Sequence, residues 1–289
     1  MRKFTVMFAL GMTILMAAGA GAVTTDGSWD DWFTYSGDVD HPTWDEGQVT
    51  LLDSRIRTVV DEEGPTPGAG GQNYDIEQIF YFFEDADLND PTSGGTLHVG
   101  LVTGFPAEGR PMDDLYGGDL FVGFGGNGGL GIADFDMAIA VSTATDNLRS
   151  PGSSDYDSDV VGTIWRRDGS PTPWQDQGVV TFLTSSEPYR VAETGPGVDA
   201  TTGMADVEWG GLGKHNFLEV SFDVDGGIEE IISSQQGDGG LRLHWTMECG
   251  NDVIDVQDNQ PFTPVPEPST FALLGMGLLG GLLRKKFTA

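Results

Sequence analysis

Between residues 23 and 264 the apolar residues come in strand-length runs broken by Gly, Asp and Pro, and this pattern constrains the fold most. In Phe217–Val224 (FLEVSFDV), Leu218, Val220, Phe222 and Val224 share one face at the two-residue period of a strand. Leu241–Met247 (LRLHWTM) repeats the pattern with Leu241, Leu243 and Trp245. Further runs are Leu51–Val60, Tyr74–Phe83, Thr96–Thr103, Asp119–Phe124, Phe135–Ser142, Val160–Trp165, Val179–Leu183 and Tyr189–Glu193. Glycine, 43 of 289 residues, is about twice as frequent as the usual ~7% and favours turns over long helices. One short helix is expected at Gly227–Ser233. With no alternation of strands and long helices, the reading is an all-β chain: an antiparallel β-sandwich, jelly-roll-like, with that one helix. Its core should include Leu218, Val220, Phe222, Leu241, Leu243 and Trp245. Arg242 falls on the opposite face, where truncation should be mild.

The strongly apolar segments lie at the ends. Arg2-Lys3, an apolar stretch from Phe4 to Ala18 and small residues to Ala22 have the three parts of a secretory signal, with cleavage expected after Ala22 or Ala20. At the other end, Pro266-Glu267-Pro268 precedes an apolar, Gly-rich segment, Phe271–Leu283, and the basic cluster Arg284-Lys285-Lys286. Thirteen apolar residues are short against the ~20 of a comfortable span, and the basic cluster would stay on the cytoplasmic side. The expected organisation is a signal peptide (1–22), a sandwich domain (23–258), a linker (259–264) and a C-terminal hydrophobic segment (265–289), with membrane contact confined to the ends.

This tail resembles the PEP-CTERM sorting signal of Gram-negative bacteria. The resemblance implies recognition by exosortase, a membrane-embedded cysteine protease, with transient residence in the inner membrane. Tail removal and delivery to the cell surface or extracellular polysaccharide matrix would follow. An ordinary C-terminal anchor uses the same apolar physics but has no need of Pro266-Glu267-Pro268.

Without Arg2, Lys3, Arg284, Lys285, Lys286 and Glu267, residues 23–264 carry 9 basic and 44 acidic side chains, a charge of −35. That excludes nucleic-acid binding through a basic surface. Repulsion among the carboxylates would be eased by counter-ions, and Ca²⁺ is the cofactor considered. In Asp85-Ala-Asp87-Leu-Asn89-Asp90, oxygen ligands at alternate positions resemble the first half of a Ca²⁺ loop. There is no Gly at the sixth position and Thr96 replaces the closing Glu, so a solvated acidic turn stands beside the metal reading. Asp155, Asp157 and Asp159 share the spacing.

The single cysteine, Cys249, permits no intrachain disulfide and reads as a small buried hydrophobe. His41, His98, His215 and His244 are scattered without zinc-ligand spacing. Gly125–Gly129 lacks the Lys and following helix of a phosphate loop and reads as a hairpin tip. Acid pairs are guaranteed by abundance and therefore point to no glycosidase, and no G-x-S-x-G occurs, so no enzyme activity is expected. Trp29, Trp32, Trp44, Trp165, Trp174 and Trp209 are candidates for stacking on sugar rings, against the alternative that most fill the core; Trp165 reads as buried and Trp174 as a loop residue.

The opening Asp26-Gly27-Ser28-Trp29-Asp30-Asp31-Trp32 resembles the start of family-nine-type carbohydrate-binding modules and the related DOMON-like sandwiches. That resemblance implies a β-sandwich over residues 26–256 and carries over no ligand-binding residue. The functional expectation is an exported, non-enzymatic protein that binds or organises exopolysaccharide in a surface or biofilm matrix. The alternatives are a structural Ca²⁺-stabilised acidic surface protein and a secreted hydrolase.

Overall fold

The computed structural model describes residues 23–41, 43–60, 72–85, 94–107, 117–124, 135–141, 161–167, 175–176, 189–190, 198–224, 240–247 and 252–258. They belong to one unit, Ala22–Pro264. The signal segment with Ala22, the tail with Pro266, Glu267 and Pro268, and the expected helix at Gly227–Ser233 fall outside the described residues. So do Asp87, Asn89, Asp90, the second acidic run, Gly125–Gly129, Trp174 and Cys249.

The described chain is built from antiparallel strands, with two short 3-10 turns at Glu46–Gln48 and Gln72–Tyr74. Five strands form one sheet: β3 (Arg57–Val60), β4 (Ile76–Asp85), β5 (Gly95–Thr103), β12 (Asp206–Leu212) and β13 (His215–Val224), in the order β12-β13-β5-β4-β3. Six form the other: β6 (Leu120–Phe124), β7 (Met137–Ile139), β8 (Thr163–Arg167), β11 (Val198–Met204), β14 (Leu241–Thr246) and β15 (Val253–Asp258), in the order β11-β8-β7-β6-β14-β15. β1 (Phe33–Tyr35) pairs with β2 (Val49–Leu51), and β9 (Gln175–Asp176) with β10 (Tyr189–Arg190). Each large sheet joins an early meander to a late hairpin, so β13 lies beside β5 and β14 beside β6.

One hydrophobic cluster fills the space between the sheets. β13 contributes Leu218, Val220, Phe222 and Val224; β14 contributes Leu241, Leu243 and Trp245. The six residues expected in the core are all there, 3% exposed or less. Although close in sequence, their two strands belong to opposite sheets and meet across the core rather than edge to edge. The alternation is the cause: each strand turns its apolar face to the other sheet.

The sandwich is tied at both sides. β11 passes into β12 through the single residue Ala205, whose N–H donates to Gly162 O at 2.8 Å. At the other side Asp258 on β15 accepts from Tyr81 Oη on β4 at 2.9 Å and pairs with Arg57 on β3. Asp252 accepts from the Ile76 N–H at 2.5 Å. These contacts meet buried backbone and side-chain polar groups where the sheets approach.

The opposite faces of the central strands are not solvent-facing, and this corrects the expectation for Arg242. Arg242 is 0% exposed; His244 and Thr246, on the same face of β14, are also buried. A strand covered on both faces cannot spare a long side chain as a solvent-facing one would. On the five-stranded sheet the cover is identifiable. Trp32, Phe33, Trp44 and Ile56 from the N-terminal segment pack against Phe80, Phe82, Val102 and Phe217 as a second hydrophobic cluster.

Candidate ligand cleft under the N-terminal layer

The N-terminal layer is held by a buried carboxylate. Glu219 projects from the covered face of β13 and is 1% exposed. Its Oε1 accepts from Trp32 Nε1 at 2.5 Å, and its Oε2 accepts from the Asp26 and Gly27 N–H groups at 3.0 and 2.6 Å. Burial pushes its carboxyl up to about 7, against the pull of those three donors. Gly27 has a φ of +76°, and a Cβ on Gly210 would overlap the Gly27 carbonyl oxygen, so the Asp26-Gly27 turn lies directly on the β12 backbone. Trp32 then packs edge-on against Phe82 and Phe217, while Phe33 stacks on Phe80 with centroids 4.7 Å apart. The Asp-Gly…Trp…Trp opening is thus an anchor: a turn, a carboxylate to receive it, and an indole to seal it.

The anchored segment delivers β1 and the following loop to the β3–β4 end of the sheet, where a cavity of about 660 Å³ opens. Tyr35 and Trp44 form its aromatic wall, stacked 4.2 Å apart at 7°. Trp44 Nε1 donates to Gln78 Oε1 at 2.9 Å, and Gln78 Nε2 donates to Thr58 Oγ1 at 2.6 Å, which fixes the indole to the sheet. The Asp45 N–H donates to Tyr35 Oη at 3.2 Å, and Asp45 Oδ1 caps the turn that follows by accepting from the Gly47 N–H. Burial raises the Tyr35 phenol above its ordinary range, with Asp45, Glu77 and Asp38 adding to the effect.

Among the described residues five carboxylates line the cavity: Asp38, Asp45, Glu46, Asp75 and Glu77. Among the described residues the lining contains His41 but no Lys or Arg. Behind it, buried His215 sits with Nε2 3.2 Å from His41 O and Nδ1 3.3 Å from Glu77 Oε1. A carbonyl cannot donate, so the ring donates from Nε2 to His41 O, and Nδ1 lies beside the Glu77 carboxylate. Trp44 packs edge-on against the same ring at 5.4 Å. The arrangement places the half-buried Tyr35 ring, backed by the buried Trp44 indole, beside many hydrogen-bond acceptors.

The tryptophan candidates divide accordingly. Trp44 reaches the cavity; Trp32 is sealed beneath the N-terminal layer. Trp29 stacks on Phe33, and Trp209 is half-buried with Nε1 donating to Val141 O at 2.8 Å. Trp165 lies on β8, with its side chain outside the described set. Asp85 ends β4 and its side chain is likewise undescribed. Among the described residues no three His, Cys, Asp or Glu side chains converge as a metal-ion site. His98 and His244 lie on β5 and β14; His98 stacks flat on Phe82, and His244 Nδ1 is 2.7 Å from Asp255 Oδ1. Sequence reading did not single out Tyr35, Glu77, His215 or Glu219 as site residues. The available signal was Ile79–Phe83, five consecutive apolar residues in a strand, which announces cover on both faces and hence a layer over the sheet.

At the C-terminus, a family model of the PEP-CTERM protein-sorting motif matches residues 264–286. The chain carries a PEP-CTERM sorting motif. The match takes in Pro266, Glu267, Pro268 and the basic cluster Arg284-Lys285-Lys286. The PEP-CTERM tail marks an exported protein, processed at the membrane by exosortase and then carried to the cell surface. No curated protein and no solved structure matches the chain.

Proposed function

We propose that this is a non-enzymatic surface protein that binds exopolysaccharide in the cleft walled by Tyr35 and Trp44. In this reading it is released from the inner membrane of a Gram-negative bacterium and retained in the extracellular matrix by its polysaccharide ligand. The observation that carries the reading is the cleft itself, an aromatic pair fixed beside carboxylates in a cavity of about 660 Å³, large enough for one or two sugar rings. C–H groups of a pyranose would pack against the half-buried Tyr35, and its hydroxyls would donate to Asp38, Glu46 and Gln48. The PEP-CTERM tail supports the setting, since exported surface proteins meet polysaccharide. The opening motif's resemblance to carbohydrate-binding modules supports the ligand class.

Protein recovered from the cell surface, tested on a glycan array and then by calorimetry, is expected to bind at least one polysaccharide class without consuming it. Tyr35→Ala should weaken that binding tenfold or more. Absence of binding across the array, or full binding by Tyr35→Ala, would remove the cleft reading. Turnover of a bound glycan would replace the binding protein with a hydrolase.

A further inference from the structure

We infer that the cleft selects cationic glycans, polymers bearing free amino sugars, over neutral and acidic ones. This rests on the reading of the cleft as a glycan site and adds the charge class of the sugar. Among the described residues five carboxylates line the cavity and no Lys or Arg does. A uronate-bearing chain would bring like charges into this ring, and like-charge juxtaposition is a strong rejecting element. Among the described residues no three acidic or histidine side chains converge as ligands for a metal ion. The carboxylates stand around the cleft, from Asp38 and Glu46 on the N-terminal loop to Asp75 and Glu77 on the sheet side. Such a spread suits an organic cation, whose charge sits on a bulky ring and meets carboxylates at several points.

Two carboxylates can be neutralised without dismantling the wall. Asp38 Oδ1 accepts from the Asp40 N–H at 3.0 Å, a bond that asparagine can keep, and Glu46 is exposed in the turn. Asp45 and Glu77 are left intact, because the first caps that turn and the second faces His215.

The experiment is calorimetry on the protein recovered from the cell surface, with β-linked glucosamine oligomers, their N-acetylated counterparts and uronate oligomers of equal length, at low and at 0.5 M salt. The amino oligomer is expected to bind at least tenfold tighter than the acetylated one at low salt, with the ratio falling toward one at high salt. Asp38→Asn/Glu46→Gln should cut the ratio of amino to acetylated affinity several-fold at low salt. The control is Asp206→Asn/Glu208→Gln on β12, at the other edge of the sheet. An equal loss there means diffuse attraction to an acidic protein and overturns the inference. Equal affinity for amino and acetylated oligomers, or preference for uronates, also overturns the charge selection while leaving glycan binding standing. No binding of any oligomer, with none on the array, overturns both.

Discussion

Glu219 shows how one residue can couple a layer of the fold to pH. Its folded carboxyl titrates at about 7, above the ordinary value of 4.5, because burial disfavours its charge. Between those values the folded state holds more protons than the unfolded state, so this group's contribution is full below about 4.5 and is lost as pH rises through about 7. Urea unfolding from pH 4.5 to 8 is therefore expected to show stability falling with pH more steeply in the natural protein than in Glu219→Gln. Parallel curves would show that the remaining acids account for the whole slope. Buried apolar and cationic side chains should both be costly to remove. Phe222→Ala, at a site 3% exposed, is expected to cost about 3–5 kcal/mol. Arg242→Ala is expected to cost on the order of 3 kcal/mol, since a fully buried long side chain leaves a void in place of its contacts. Denaturant midpoints test the pair; a near-neutral Arg242→Ala would mean that the outward face of β14 is effectively solvated.

At the scale of elements, the decisive feature is the layer formed by residues 23–56 on the five-stranded sheet. It gives Phe80, Phe82 and Phe217 a partner, and it carries Tyr35 and Trp44 to the cleft. The layer depends on the close approach of the Gly27 turn to Gly210. Gly210→Ala is expected to lift that turn off β12, exposing residues 23–35 to protease and weakening glycan binding tenfold or more. The interlocked sheets, whose core residues lie elsewhere, should keep their far-ultraviolet circular dichroism. Protection of the N-terminal segment as strong as in the natural protein would show that the backbone accommodates the methyl group. Strand order was hidden for a related reason. β13 and β14 each display a clean apolar face, but nothing in either run states whether the faces lie side by side or opposed.

For the whole molecule, acidity and the terminal signals set the conditions of work. Replacing Glu267 or Pro268, or deleting Arg284–Lys286, is expected to leave the protein in the membrane with its tail attached. Intact-mass analysis of surface material checks this; tail-mutant protein arriving at natural size and yield would show that another signal sorts it. If the Asp85–Asp90 segment binds Ca²⁺, millimolar Ca²⁺ is expected to raise Tm, because an ion bound only by the folded state stabilises it by mass action, and no rise leaves a plain acidic turn. A gain lost in Asp85→Ala/Asp87→Ala assigns the ion to that acidic segment. A gain that survives is screening of the −35 charge of residues 23–264.

The terminal sorting signal and the all-β class were legible in the residues themselves, because both rest on local order: a motif followed by an apolar run and a basic cluster, and a two-residue alternation broken by turns. The inward set of β13 and β14 was legible for the same reason. Short-range periodicity says which residues share a face, but not what covers the other face. Arg242 therefore read as an ordinary outward residue, Glu219 drew no reading, and only the packed structure shows both buried. Tyr35 and Trp44 lie nine residues apart, and His215 meets the loop carrying His41 from far along the chain. Their meeting was decided by the docking of the N-terminal layer onto the sheet, a long-range hydrophobic event that no local pattern encodes.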